Sequence, residues 1–170
     1  NNIEKILSES SGLNPCNPYA KTKLSIETIL EDIFNSSKNE WRIAILRYFN
    51  PIGAHDSGFI GETPLGVPNN LFPHICAVAK GRYKHLKIFG KDWPTLDGTG
   101  VRDYIHIMDL ADSHKVALEF IINNDPQILK LNIGTGIGTS VLDLVDIFKK
   151  TNNCEINYVF ENRRPGDVDF

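Results

Sequence analysis

The sequence is poor in the residues that define several protein classes. Its three cysteines, Cys16, Cys76 and Cys154, are odd in number, far apart and never spaced C-x-x-C. That argues against a disulfide framework and a cysteine-rich zinc site. Buried free thiols in a reducing cytoplasm are expected instead. The five histidines form no H-E-x-x-H and no other metal spacing, so no metal site is expected. No apolar run reaches the ~18 residues of a membrane-spanning helix. A net charge of −3 with scattered basic residues provides no field for nucleic acid or an anionic membrane. The chain opens Asn1-Asn2-Ile3 with no initiating methionine and no signal-peptide pattern. A fragment of a longer protein is the expectation.

What is present is ordinary for a globular domain: 41% apolar and 23% charged residues in a chain of 170. The first residues, with Pro15 and Pro18, read as loop. A helix follows from about Tyr19 to Asn35. Its Ile26, Ile29, Leu30, Ile33 and Phe34 recur at helical spacing, so one stripe is expected to face a core. The run Ile43–Leu46 reads as a buried strand. Residues 50–70 hold four glycines and three prolines and read as a long, functional loop. A helix over Leu71–Lys80, a strand over Leu86–Phe89, a loop over 90–100 and a strand over Val101–Ile107 come next. The spacing then predicts a helix over Met108–Ile122, with Leu110, Val116, Ala117 and Phe120 inward. After a strand over Leu129–Ile133, Ser140-x-x-Asp143 marks a capped helix start. That helix carries the stripe Val141, Leu144, Val145 and Phe148. A strand over Ile156–Phe160 and a polar tail end the chain. Alternating strands and helices predict an α/β fold.

One glycine-rich turn invites a dinucleotide-binding reading. Gly134-x-Gly136-x-Gly138 lies between strand and helix, but the third glycine of G-x-G-x-x-G falls at Thr139. A tight turn that lets a helix pack closely on a sheet is the better reading.

Tyr19-Ala-Lys-Thr-Lys23 is a Y-x-x-x-K. On a helix these two side chains share a face, with Cβ atoms about 5–6 Å apart. An adjacent ammonium favours tyrosinate over phenol. Bringing a phenol to ionise near neutrality needs about 4 kcal/mol of differential stabilisation, which one ammonium in a dry site and a cationic cofactor ring together could supply. Such a base can take a hydroxyl proton while hydride leaves the same carbon. The motif alone is weak, since chance matches are common.

Six further segments change its weight: Leu46-Arg-Tyr-Phe-Asn-Pro-Ile-Gly-Ala-His55, Gly66-Val-Pro-Asn-Asn-Leu71, Ile88-Phe-Gly90, Asp97-Gly-Thr-Gly-Val-Arg-Asp-Tyr-Ile-His106, Asp109-Leu-Ala-Asp112 and Arg163-Arg-Pro-Gly-Asp167. In this order, the set resembles the UDP-galactose (UDP-glucose) 4-epimerases of the extended short-chain dehydrogenase/reductase family. The resemblance runs from about Ser8 to the end. It implies the C-terminal part of a Rossmann-type doubly wound parallel sheet plus the smaller α/β substrate-binding domain. Residues 1–50 would be the remnant of the NAD-binding domain. Residues 51–170 would mainly bind UDP-sugar, with 97–133 partly returning to the Rossmann sheet. The family's NAD-binding Gly-rich loop, ribose-binding acid and catalytic Ser or Thr lie upstream of Asn1.

The resemblance also implies roles. Tyr19 is the expected base and acid, and Lys23 its partner, which also holds the nicotinamide ribose. Phe49 lines the nicotinamide. Asn50 binds substrate oxygens. Asn70 and Leu71 meet the diphosphate at a helix start, a natural anion site. Lys87 and Phe89 line the uracil. Arg102 and Arg164 grip the diphosphate, and Asp167 bonds the uridine ribose. The reaction implied is inversion at C4 of a UDP-hexose through a 4-keto sugar, with NAD as cofactor and a homodimer at full length. Two alternatives stay open. One is a dehydratase or decarboxylase of the same superfamily; the other is an inactive UDP-sugar-binding fragment. Acceptance of N-acetylated sugars also stays open.

Overall fold

The computed structural model describes residues 7–167 and residue 169. Helix α1 (Pro18–Ser36) starts for local reasons. The Asn17 side chain accepts from the Ala20 amide at 2.8 Å, and Pro18 occupies a position where a missing N–H costs nothing. Tyr19 therefore sits in the first turn.

Strand β1 (Ile43–Tyr48) pairs in parallel with β5 (Ile128–Ile133). Strand β2 (Asn50–Ile52) continues from β1 and pairs in parallel with β4 (Val101–His106). The other edge of β4 takes β6 (Gly138–Ser140) antiparallel. Strand β3 (Leu86–Phe89) pairs in parallel with β7 (Tyr158–Glu161). Helices α2 (Leu71–Ala79), α3 (Ile107–Asn123) and α4 (Val141–Asn152) complete the elements.

The main core joins α2, β3 and α4: Ile75, Val78, Leu86, Ile88, Leu144, Val145 and Ile156. Leu86 and Ile88 point inward, leaving Lys87 and Phe89 on the opposite face of β3, as the period of two requires. On α4, Val141 and Phe148 pack against the buried Leu144 and Val145, as the periodicity predicted. Ser140 caps α4 by accepting from the Asp143 amide at 3.0 Å. Its hydroxyl also donates to Asp97, whose other carboxylate oxygen holds the buried Thr99. Burial alone would raise the Asp97 carboxyl. The bonds from Ser140 and Thr99 outweigh it and hold the group below its usual range.

Several expectations are corrected. Strands β2 and β6 are absent from the sequence reading, because three-residue strands among glycine and proline have no periodicity to detect. They exist because β4 offers an edge to each. The α1 stripe is only half covered: no α1 residue is fully buried, Leu30, Ile33 and Phe34 are partly buried, and Ile26 and Ile29 are 51% and 56% exposed. Nor do Val116 and Phe120 turn inward; at 62% and 46% exposure they leave Leu110 and Ala117 as the buried pair of α3. Cys16 is exposed, and Cys76 and Cys154 only partly buried, so the thiols are free without being buried as expected.

Charged side chains fasten α1 to the β1–β5 sheet. Arg47 of β1 donates from Nε to Glu27 Oε1 at 2.9 Å and bonds the second oxygen through Nη2. Lys130 of β5 pairs with Glu31 one turn further along. The Arg47 hydrogen bond holds the Glu27 carboxyl below its ordinary value of 4.5. The folded form therefore resists protonating Glu27. Its contribution is present above about pH 4.5 and lost as pH falls through the folded value. In the full-length protein, Glu27→Gln is expected to lower Tm at neutral pH and to flatten the fall in Tm below about pH 4.5. Melting curves across that range would refute this if both proteins lost stability in parallel.

Candidate functional site

A cleft opens beside the α2–β3 core, and its walls come from separated parts of the chain. Asn50 begins β2, opposite Tyr104 of β4 in register. Asn70 caps α2 by position but makes no side-chain cap bond. Its amide instead leans on Glu62 at 3.4 Å. Lys87 and Phe89 stand on the open face of β3. Arg102 rises from β4. Arg164 and Asp167 follow β7 on a turn in which the Asp167 amide donates to the Arg164 carbonyl at 3.2 Å. Gly166 permits that turn with φ +86°, a conformation other residues rarely adopt.

Asn50, Asn70, Lys87, Phe89, Arg102, Tyr104, Arg164 and Asp167 line one cleft, together with Leu71. An adjoining cavity shares Asn50, Asn70, Leu71 and Tyr104 and adds Phe49 and Glu62. Substrate-binding candidates spread from residue 50 to residue 167 thus converge. Tyr19 and Lys23 do not line either cavity. They are brought to each other, with the Lys23 ammonium 5.4 Å from the Tyr19 ring centre, and Tyr19 is 69% exposed.

Cationic groups dominate one end of the cleft. The Arg164 guanidinium stacks 3.7 Å from the Phe89 ring centre, so one face of that ring carries the arginine. Lys87 pairs with Glu161 on β7 at 3.1 Å. His74, one turn along α2 from Asn70, also lines the cleft. Desolvation lowers its imidazole below 6.5, and Arg164, His85 and Lys87 push the same way, which keeps the ring neutral at pH 7. Burial raises the Tyr104 phenol, and Arg102 only partly opposes this. Tyr104 is therefore a neutral hydrogen-bonding group on the wall.

His74, Trp93 and Tyr104 escaped the sequence reading. Two of them follow from simple spacing. Tyr104 is two residues from Arg102 on the same strand and so on the same face. His74 is four residues from Asn70 and shares its helix face. Trp93 lies on an irregular loop and gave no such signal.

The glycine-rich turn at 134–138 is not an open phosphate cradle. The Asp103 carboxylate accepts from the Thr135 amide at 2.9 Å, the Thr135 hydroxyl at 2.8 Å and the Gly136 amide at 2.8 Å. A Cβ on Gly134 would stand 2.5 Å from Asp103 and from Phe49. The donors that would meet a pyrophosphate are already occupied.

Solved structures share this fold. Over 96% of its length the chain is similar to UDP-glucose 4-epimerase from Stenotrophomonas maltophila, crystallised with NAD and formylated UDP-arabinopyranose, at 44% identity and TM-score 0.91, covering 48% of that chain. It is similar to the Bifidobacterium longum enzyme in complex with NAD+ and UDP at 42% identity and TM-score 0.90. It is 51% identical over 162 residues to UDP-glucose 4-epimerase of Bacillus subtilis, with 95% of this chain and 47% of that protein aligned. The chain thus spans about half the length of these relatives. Fold and relatives define an α/β protein of Rossmann type, of the extended short-chain dehydrogenase/reductase class. Residues 2–134 match the NAD dependent epimerase/dehydratase family, and the chain belongs to it.

Proposed function

We propose that this chain is the UDP-sugar-binding portion of a UDP-glucose 4-epimerase, which interconverts UDP-glucose and UDP-galactose. The observation that carries the reading is the cleft in which Asn50, Asn70, Lys87, Phe89, Arg102, Arg164 and Asp167 converge. Two guanidinium groups suit a diphosphate. An aromatic ring and a strand suit a base, and an acid suits a ribose. Residues 1–50 belong with the NAD-binding domain and 51–170 mainly with the sugar domain, and β1–β5 pairing supports a return of 97–133 to the first. A cytoplasmic homodimer acting in galactose metabolism is part of the same proposal.

NAD fits only at its reacting end. Tyr19, Lys23 and Phe49 would hold the nicotinamide ribose and ring. The glycine turn at 134–138 is not free for the pyrophosphate, because Asp103 fills it. When bound, NAD supplies uptake and return of the C4 hydride.

Tyr19 removes the 4-hydroxyl proton as that hydride leaves, giving the 4-keto sugar, and later gives the proton back. Lys23, one helical turn away, stabilises the charge developing on the phenolic oxygen. Arg102 and Arg164 anchor the diphosphate, so the remote nucleotide binds firmly while the hexose turns over. Asn50 sits where the two cavities join and is suited to meeting the sugar.

Full-length protein incubated with UDP-galactose is expected to form UDP-glucose, detected by coupling to UDP-glucose oxidation. UDP should bind it in calorimetry. A 4-keto-6-deoxy product would assign it to the dehydratases instead. Residues 1–170 alone are expected to show no turnover with added NAD, and measurable turnover would contradict the incomplete cofactor site.

A further inference from the structure

Two irregular segments meet at the outer wall of the cleft, residues 90–98 and 162–167. One side chain joins them at three points. Arg163 donates from Nε to Asp92 Oδ1 at 2.8 Å and from Nη2 to the Asp92 carbonyl oxygen. Its guanidinium lies 3.9 Å from the Trp93 ring centre. Its stem crosses Gly90 so closely that a Cβ there would stand 3.1 Å from Arg163 Cγ. Trp93 would block that Cβ as well, at 2.4 Å. Glycine at 90 is thus what lets the two segments close on each other.

The neighbouring arginine faces the other way. Arg164 stacks on Phe89 and lines the cleft, whereas Arg163 and Asp92 do not line it. Trp93 lines the cleft while carrying Arg163 on its ring. Two consecutive guanidinium groups therefore rest on two aromatic rings, one outside the cleft and one inside. We propose that Arg163 is a positioning residue for the nucleotide site. By holding residues 162–167 against 90–93, it fixes Arg164 and Asp167 in their places before ligand arrives. The inference rests on the UDP-sugar reading of the cleft.

The pair is largely exposed, with side chains 41% and 70% accessible, so as an isolated ion pair it would stabilise little. Its effect is on preorganisation: without it, binding must order the segment that carries Arg164 and Asp167. The hydrogen bond from Arg163 also holds the Asp92 carboxyl below its usual range.

The test uses the full-length protein, with UDP as probe. Arg163→Met is expected to raise the Kd for UDP about tenfold and KM similarly, with kcat within about twofold. Arg163→Lys should keep most of the defect, because an ammonium lacks the planar fork that stacks and bonds together. Asp92→Ala should show part of the same loss, and the double variant Asp92→Ala/Arg163→Met no more than Arg163→Met alone. Wild-type Kd in Arg163→Met, or full recovery in Arg163→Lys, would overturn the inference while leaving the UDP-sugar reading intact. A wild-type protein that binds no UDP would overturn that reading and this inference with it.

Discussion

Tyr19→Phe in the full-length protein is expected to lower turnover of UDP-galactose by about a thousandfold and to leave the Kd for UDP within about twofold. The change removes one oxygen atom, the one assigned to carry the proton. It removes no packing, because Tyr19 is 69% exposed and its ring already lies open beside Lys23. Helix α1 should form as before: its cap is Asn17, its first helical residue is Pro18, and the Thr22 hydroxyl bonds the Tyr19 backbone carbonyl, at 2.7 Å, rather than its phenol. Tyr19 is also outside the residues lining the nucleotide cleft. Steady-state rates and UDP calorimetry on the same preparation separate chemistry from binding. A variant with near-normal kcat would remove Tyr19 from the chemistry. A variant with a collapsed UDP affinity would show that the residue shapes the cleft.

Arg164→Met is expected to weaken UDP about thirtyfold, close to 2 kcal/mol for a charge-assisted contact, and to change uridine affinity little. The difference between the two ligands is the diphosphate. On the proposed reading Arg164 meets that anion; its guanidinium stacks on Phe89 and lines the cleft. Methionine keeps the length and apolar stem, so the Phe89 face stays covered while the charge is lost. Desolvation already lowers the His74 imidazole, and Arg164, His85 and Lys87 lower it further, so His74 supplies no replacement charge near pH 7. Titrations with UDP and with uridine read the effect directly. Equal losses for both would place Arg164 on the base or ribose instead.

The site was visible in the sequence to different depths. That Tyr19 and Lys23 share a helix face needed only helix geometry, and the structure puts them together; their weight as a site needed the ordered motifs as well. Arg102 and Arg164 needed an ordered set of motifs, because 62 positions separate their numbers and no local rule joins them. Tyr104 and His74 could have been reached from residues already chosen, by the periods of strand and helix. Trp93 could not. Its place depends on Arg163 and on the glycine at 90. The glycine turn at 134–138 was rightly refused as a dinucleotide loop on its spacing. The reason found in the fold is a different one: Asp103, over thirty residues away, supplies the acceptors.

By itself the sequence determined what depends on neighbours within a turn or two: the α1 start near Tyr19, the Leu86–Phe89 strand, the Ser140 cap and the α4 stripe. Capping bonds and side-chain periods act over that range, and few distant contacts override them. Only the tertiary structure decided the rest. Short β2 and β6 owe their existence to the edges of β4, Ile26 and Ile29 stay about half exposed, and residues 90–93 and 162–167 meet where Arg163 reaches across to Asp92. Each of these depends on which distant surface arrives, and pairing between remote segments is set by packing of the whole chain rather than by local preference.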